Sequence, residues 1–339
     1  MTEQIEALLK AQGFEHYGMT GIEKPISLSI YQTWIQDGLH GDMEYLKTHL
    51  GAKEDPKLLL PRARAAIVVA RPYFPHPKPA DRLRLPVALY ARGEDYHHWF
   101  RGELEKVKLE LERLYPEESF LTATDSLPVL ERDLAYRAGL GWIGKNTCLI
   151  DEKRGSLFFL GEILTSLELT ATIEPAADRC GTCTRCMEAC PTGALVEPRV
   201  LDARKCISYA TIEAKSVPNL ELREKNSVFF YGCDICQTVC PWNIKIHKEE
   251  LTRATQEFGR TEMIEDLKFI LTASGSLLEK KFKGTPLTRA SVWHHKANAI
   301  VFATNRNFSE LRQEINEAGL KYEKLTELSQ WSLSKLNPT

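Results

Sequence analysis

The chain lacks any apolar run near the roughly 18–20 residues needed to cross a bilayer. Its first residues, MTEQIEALLKAQGF, carry acids where a secretory leader would have a basic start and an apolar core. Both absences predict a cytoplasmic protein with no membrane partner. A strong charge of one sign is also missing, since 44 Lys and Arg stand against 46 Asp and Glu. With a net charge of −2 there is no global field to attract nucleic acid, so such a partner would need a local basic patch. Nothing points to an obligate dimer, and a monomer is expected. Low hydrophobicity is not among the absences. At 43% hydrophobic and 27% charged the chain is not wholly disordered, and 339 residues suit two or three domains.

Cysteine is what the chain does have. Of nine, eight fall between residues 180 and 240. Clustered cysteines in a chain of this kind mean metal or redox chemistry more often than disulfides. Cys180, Cys183, Cys186 and Cys190, followed by Pro191, reproduce the bacterial ferredoxin run C-x2-C-x2-C-x3-C-P. Cys233, Cys236 and Cys240, followed by Pro241, repeat its ending, with Cys206 upstream as a fourth ligand. In such runs the last cysteine binds the other cluster. The expected ligand sets for two 4Fe–4S clusters are therefore Cys180, Cys183, Cys186 and Cys240, and Cys190, Cys206, Cys233 and Cys236. Four-cysteine zinc sites are the alternative. They explain the CxxC pairs but not the third cysteine or the Cys-Pro endings. Cys148, in an apolar setting, reads as a core thiol.

Around this segment the pattern changes. Residues 1–20 read as an amphipathic helix ended by Gly13, and 28–38 as a second helix. Ala65–Ala70, 119–125, TCLID (147–151) and SLFFLGEILT (156–165) read as strands. Residues 95–114 and 129–138 read as helices, and 77–88 as a loop. The alternation predicts an α/β domain over 1–170. A loop-rich, metal-stapled domain follows over 171–250, and a helical region over 251–339. A mere electron carrier needs little beyond the cysteine segment, so the remaining mass predicts a catalytic domain fed by it.

Several stretches carry a specific resemblance. They are Asp125 to Asn146 (DSLPVLERDLAYRAGLGWIGKN), Tyr90 to His97 (YARGEDYH), Pro56 to Pro61 (PKLLLP), Phe159 to Ile163 (FLGEI), Cys206 to Tyr209 (CISY) and Tyr231 to Pro241 (YGCDICQTVCP). Together, over about 1–310, they resemble the epoxyqueuosine reductases. The resemblance implies a cobalamin-dependent iron–sulfur enzyme that reduces epoxyqueuosine to queuosine at the wobble position of tRNA, the last step of queuosine synthesis. Its partners would be tRNA carrying epoxyqueuosine and an external low-potential electron donor. It implies an α/β core similar to that of the reductive dehalogenases, with cobalamin between core and clusters. Many relatives continue into HEAT-like repeats, and here a full extension of that kind is not expected.

By position, the resemblance places the proton donor at Glu131. Asp133 is the rival, although on a helix it points about 200° away. Cobalamin contacts fall on Lys53, Ala88, Asn146, Gly155, Ser156, Leu157, Ser166, Ser208 and Asp234, the last beside Cys233. For tRNA, Arg92, Tyr96, His97 and Arg101 surround one motif. Lys280, Lys281, Lys283 and Arg289 form a basic stretch suited to phosphates or, equally, a solvated helix end. His294 and His295 read as surface or core histidines. Two other functions share these features: a corrinoid reductase of a small molecule, and a plain electron-transfer protein.

Overall fold

The computed structural model describes residues 1–74, 83–171, 173–226, 228–254 and 258–336. Positions 77–82 of the expected loop lie outside the described residues. Four strands, β1 (His16–Gly21), β2 (Ala65–Pro72), β3 (Phe120–Ala123) and β4 (Phe158–Thr165), form one sheet in the order β1-β2-β4-β3. Every neighbouring pair is antiparallel.

AAIVVA supplies the centre of β2 because its side chains are small or β-branched and covered on both faces. One face packs against the helices Thr2–Ala11 and Tyr96–Leu114, through Ile5, Leu9, Phe100, Leu104, Val107 and Leu111. Asp95 caps the second of these by accepting from the His97 amide at 3.1 Å. The opposite face packs against the helix Glu131–Arg137 through Leu134 and Ala135.

Two elements differ from expectation. The first helix stops at Ala11, the chain turns at Gly13 (φ +79°), and residues 16–21 form the edge strand β1. Two glycines and a short span hid that strand, whose stability comes from pairing with β2. The TCLID strand shrinks to Leu149–Ile150, paired with Trp142–Ile143, because Thr147 sits at φ +68° and breaks the extension.

The helical region is built around Val292–Asn305, buried from His294 to Thr304. His294 and His295 are core residues. The His295 ring is bonded through Nε2 to the Leu287 carbonyl at 3.0 Å. The expected boundaries do not divide the packing. Leu85, Val87 and Ala91 from the first region and Phe230 and Tyr231 from the second join the core of the C-terminal helices. Lys296, 1% exposed, donates to the carbonyls of Ile270, Leu271 and Ala273 at 2.7–3.0 Å. It thereby satisfies the C-terminal end of the helix Arg260–Thr272. Lys296→Met should strand those carbonyls and cost about 2–3 kcal/mol, read as a lower urea midpoint with an unchanged slope.

Candidate active site and cluster segment

Glu131 opens its helix at the edge of the sheet, half-buried and beside the strand β4. Its Oε1 accepts from the Asp125 amide at 2.5 Å. Asp125 holds φ +49°, which an Asp tolerates better than most residues. Its carboxylate accepts from the Tyr96 hydroxyl at 2.6 Å and lies 3.6 Å from His97 Nε2, while His97 Nδ1 is 2.7 Å from Asp95. Hydrogen bonds to these two aspartates raise the His97 ring to about 9, so it is a cation at neutral pH. Burial, reinforced by the negative Asp125, raises the Glu131 carboxyl to about 7. Lys53 is buried within electrostatic range of Glu131 and Asp125, and burial lowers its ammonium from the usual range.

The rival Asp133 is tied into the fold. Its carboxylate accepts from the Ser27 amide and hydroxyl, both at 2.7 Å, and pairs with Arg137 at 2.8 Å. Glu131, by contrast, has the Asp125 amide alone as a well-formed hydrogen-bond partner among the described residues.

Tyr73 is within electrostatic range of Asp125 beside this acid and of Asp234 in the cysteine segment, as well as of Cys148, and burial pushes its phenol far up. Asp234, 2% exposed, accepts from the Leu89 amide at 2.5 Å, and burial raises its carboxyl to about 6. Ala88 is fully buried, and a Cβ on Gly232 (φ +67°) would come within 2.6 Å of it. Asn146 donates to the Cys236 carbonyl at 3.3 Å. Gly155 and Ser156 lie against Asn243, which accepts from the Ser156 amide at 2.7 Å, and the Ser156 hydroxyl donates to Gln237 at 2.9 Å. Leu157 packs beneath with Leu89 and Leu251.

All nine cysteines are free thiols. Cys240 lies within electrostatic range of Cys180, Cys183 and Cys186, and Cys206 within range of Cys190, Cys233 and Cys236. Each group holds four thiols. Among the described residues no three His, Cys, Asp or Glu side chains converge as a single metal ion requires. Eight soft thiols in two groups fit a pair of iron–sulfur clusters. Ser208 sits beside the second group, its amide donating to the Cys206 thiol.

Three expected contacts are corrected. Ser166 lies at the far end of β4, about 30 Å along the strand from Leu157. There it is bonded to Glu118 and to the Ser119 amide. Tyr96 cannot offer its ring to a base, because it is stacked between His97 and Phe159 at 4.1 and 4.3 Å. Arg92 is turned inward to the Val87 carbonyl at 3.1 Å. Glu162 was missed. It is buried on β4 beside Glu131, and its signal was a charge in the middle of an apolar strand.

An α/β core joined to a double set of thiols spaced for clusters, with an acid of raised carboxyl on the core, defines the class of iron–sulfur oxidoreductases. Residues 179–243 match the family described as a 4Fe-4S double cluster binding domain, and residues 53–126 match epoxyqueuosine reductase QueG. The epoxyqueuosine reductase of Vibrio cholerae is 34% identical over 316 residues, covering 91% of this chain and 84% of that protein. That of Escherichia coli is 37% identical over 280 residues, covering 79% and 74%. The solved epoxyqueuosine reductase of Bacillus subtilis superposes with a TM-score of 0.83 at 27% identity, over 99% of this chain and 90% of that one. Another, solved with an epoxyqueuosine-modified tRNA stem loop, gives 0.83 at 26% identity over the same shares. The chain belongs to the epoxyqueuosine reductase family.

The two helix acids should separate by mutation. Asp133→Ala leaves Arg137 without its buried partner and should cost about 3–5 kcal/mol. Glu131→Gln should not lower the melting temperature, measured anaerobically on both variants.

Proposed function

We propose that the chain reduces epoxyqueuosine in tRNA to queuosine, with Glu131 as the proton donor. The observation that carries this reading is the Glu131 carboxyl, raised to about 7 by burial and held by the Asp125 amide, in a chain that also brings together two groups of four thiols. Cys180, Cys183, Cys186 and Cys240 would hold one 4Fe–4S cluster, and Cys190, Cys206, Cys233 and Cys236 the other. Lys53, Ala88, Asn146, Gly155, Ser156, Leu157, Ser208 and Asp234 would line a cobalamin site. The small residues and strongly desolvated groups there suit a large flat cofactor. Cobalamin supplies, when bound, the low-potential reducing centre that side chains lack.

Turning an epoxide into an alkene consumes two electrons and two protons and releases water. An external low-potential donor would supply the electrons. Glu131 would protonate the opened oxygen, which otherwise leaves as an alkoxide. The Asp125 amide holds the Glu131 carboxyl in place, and the cationic His97 balances Asp125. Both Lys53 and Arg132 lie close enough to steady the carboxylate formed after the transfer.

On the tRNA side, Arg289 stands exposed within electrostatic range of Asp125, 5.6 Å from the centre of the Tyr45 ring and paired with Glu213 at 2.9 Å. Lys280 and Lys283, also exposed, extend that basic edge toward phosphates. Lys281 is turned to Asp266 at 3.6 Å.

The deciding experiment is an anaerobic single turnover with reconstituted enzyme, cobalamin, a chemical reductant and epoxyqueuosine tRNA, read by nucleoside mass spectrometry. Cobalamin-dependent loss of one oxygen is expected. Intact clusters and bound cobalamin without conversion would redirect the search to small-molecule substrates. Glu131→Gln should keep iron and cobalamin but lose about 10²–10⁴-fold in rate. The Glu131 carboxyl is raised, so its acid form is present below about 7 and lost above it. The single-turnover rate should therefore level off below that pH and fall above it. Replacing Lys280 and Lys283 together by Glu should weaken tRNA binding several-fold at low salt, with the gap narrowing as salt rises.

A further inference from the structure

The turn between the short strands Trp142–Ile143 and Leu149–Ile150 reaches both groups of thiols. Asn146 donates to the Cys236 carbonyl at 3.3 Å, so at this point the second group meets a neutral amide. Its neighbour Lys145 reaches the first group instead. The Lys145 ammonium donates to the Gly181 carbonyl at 2.7 Å and to the Cys183 carbonyl at 2.9 Å, in the loop that carries Cys180 and Cys183. Both partners are uncharged, and among the described residues no carboxylate lies within ion-pair distance of this ammonium. The other charges of the loop are offset. Asp178 accepts from the Cys180 amide at 2.8 Å and is paired with Arg199 at 2.6 Å, and Arg179 is paired with Glu152 at 3.1 Å. Arg185 and Glu188 stand exposed on one short helix with opposite signs. Lys145, half-buried, is the charge left uncompensated beside the first group.

We propose that Lys145 raises the reduction potential of the cluster held by Cys180, Cys183, Cys186 and Cys240, so that this cluster takes up and keeps the first electron from the external donor. The inference rests on the reading of the thiols as two 4Fe–4S sites. In this step the donor is oxidised by one electron and the cluster gains one negative charge, with no bond made or broken. A fixed cation nearby favours the more negative state, and local charge and solvent exposure are among the factors that set such potentials. Lys145 acts through the loop and not on the substrate, so it is a positioning residue of charge. The same loop is where a donor can come close. Gly181, Thr182, Thr184 and Arg185 are exposed, whereas Gly232 and Asp234, which flank Cys233 of the second group, are buried.

The test is a stepwise anaerobic reductive titration of the reconstituted enzyme, followed by electron paramagnetic resonance, in wild type, Lys145→Gln and Lys145→Arg. Glutamine keeps an N–H donor for the carbonyls and loses the charge, while arginine keeps both. In Lys145→Gln the reduction equilibrium of one cluster should weaken about three- to tenfold, tenfold being about 59 mV for one electron. The other cluster should not move, and Lys145→Arg should titrate as wild type. A dissolved dysprosium chelate, which speeds the spin relaxation of the more exposed cluster, should identify the shifted signal as the exposed one. The gap between wild type and Lys145→Gln should narrow as salt rises. Unmoved midpoints, equal shifts of both clusters, a shift confined to the less exposed one, or the same shift in Lys145→Arg would each overturn the proposal. Loss of half the iron in Lys145→Gln would make Lys145 a strut for the loop and overturn it as well. Wild-type enzyme that takes up no pair of clusters would overturn the cluster reading itself, a failure that iron and sulfide analysis shows before any titration.

Discussion

The amide of Asn243 joins the cysteine-rich segment to the α/β core. It is 0% exposed, accepts from the Ser156 amide, and donates to the Ser156 hydroxyl and to the Gln237 carbonyl. Gly155 is required beside it, because a Cβ there would stand 2.1 Å from the Asn243 oxygen. The apolar cluster around Cys240 is small, made of Trp142 and Ile150 with Trp242 packed against them. Directional hydrogen bonds therefore carry the registration: Asn146 to Cys236, Lys145 to the Gly181 and Cys183 carbonyls, and Leu89 to Asp234. Buried polar bonds fix orientation more sharply than apolar contact does.

The same docking shapes the chemistry of the buried groups. Covering the sheet edge removes water from Glu131, Glu162, Asp234 and Tyr73, and every one of these groups has its neutral form favoured by burial. Asp125 goes the other way. Its hydrogen bonds from His97 and Tyr96 outweigh burial and hold it ionised. The site thus keeps carboxyls that favour their neutral form beside one that is held ionised. Asp133, two residues from Glu131, shows the contrast, since its full set of partners ties it to the scaffold.

The C-terminal helices are part of this arrangement and not an appendage. Their core takes in Leu85, Val87, Phe230 and Tyr231, and a bridge pairs Val87 with Tyr231. Tyr231 donates to the Pro286 carbonyl at 2.7 Å, three residues from Arg289. The basic edge proposed for tRNA is thereby anchored to the chain that leads into Cys233.

Local chemistry was legible in the sequence. The thiol spacing pointed to iron–sulfur chemistry, because three cysteines two residues apart wrap one face and the last in each run turns away, and the match to the 4Fe-4S double cluster binding domain agrees with that. Apolar periodicity placed β2, β4 and the helix 96–114, since burial on a known face imposes that period. Glu131 could be named only by resemblance, because nothing local distinguishes it from a solvated helix carboxylate. What the tertiary structure alone decided depends on groups distant in the chain. It left Asp133 satisfied by Ser27 and Arg137, sent Ser166 to the wrong end of a strand, and stacked Tyr96 out of reach of a base. It also set Glu162 against Glu131, because the environment of a charge is built by whatever packs around it, and sequence separation does not record that.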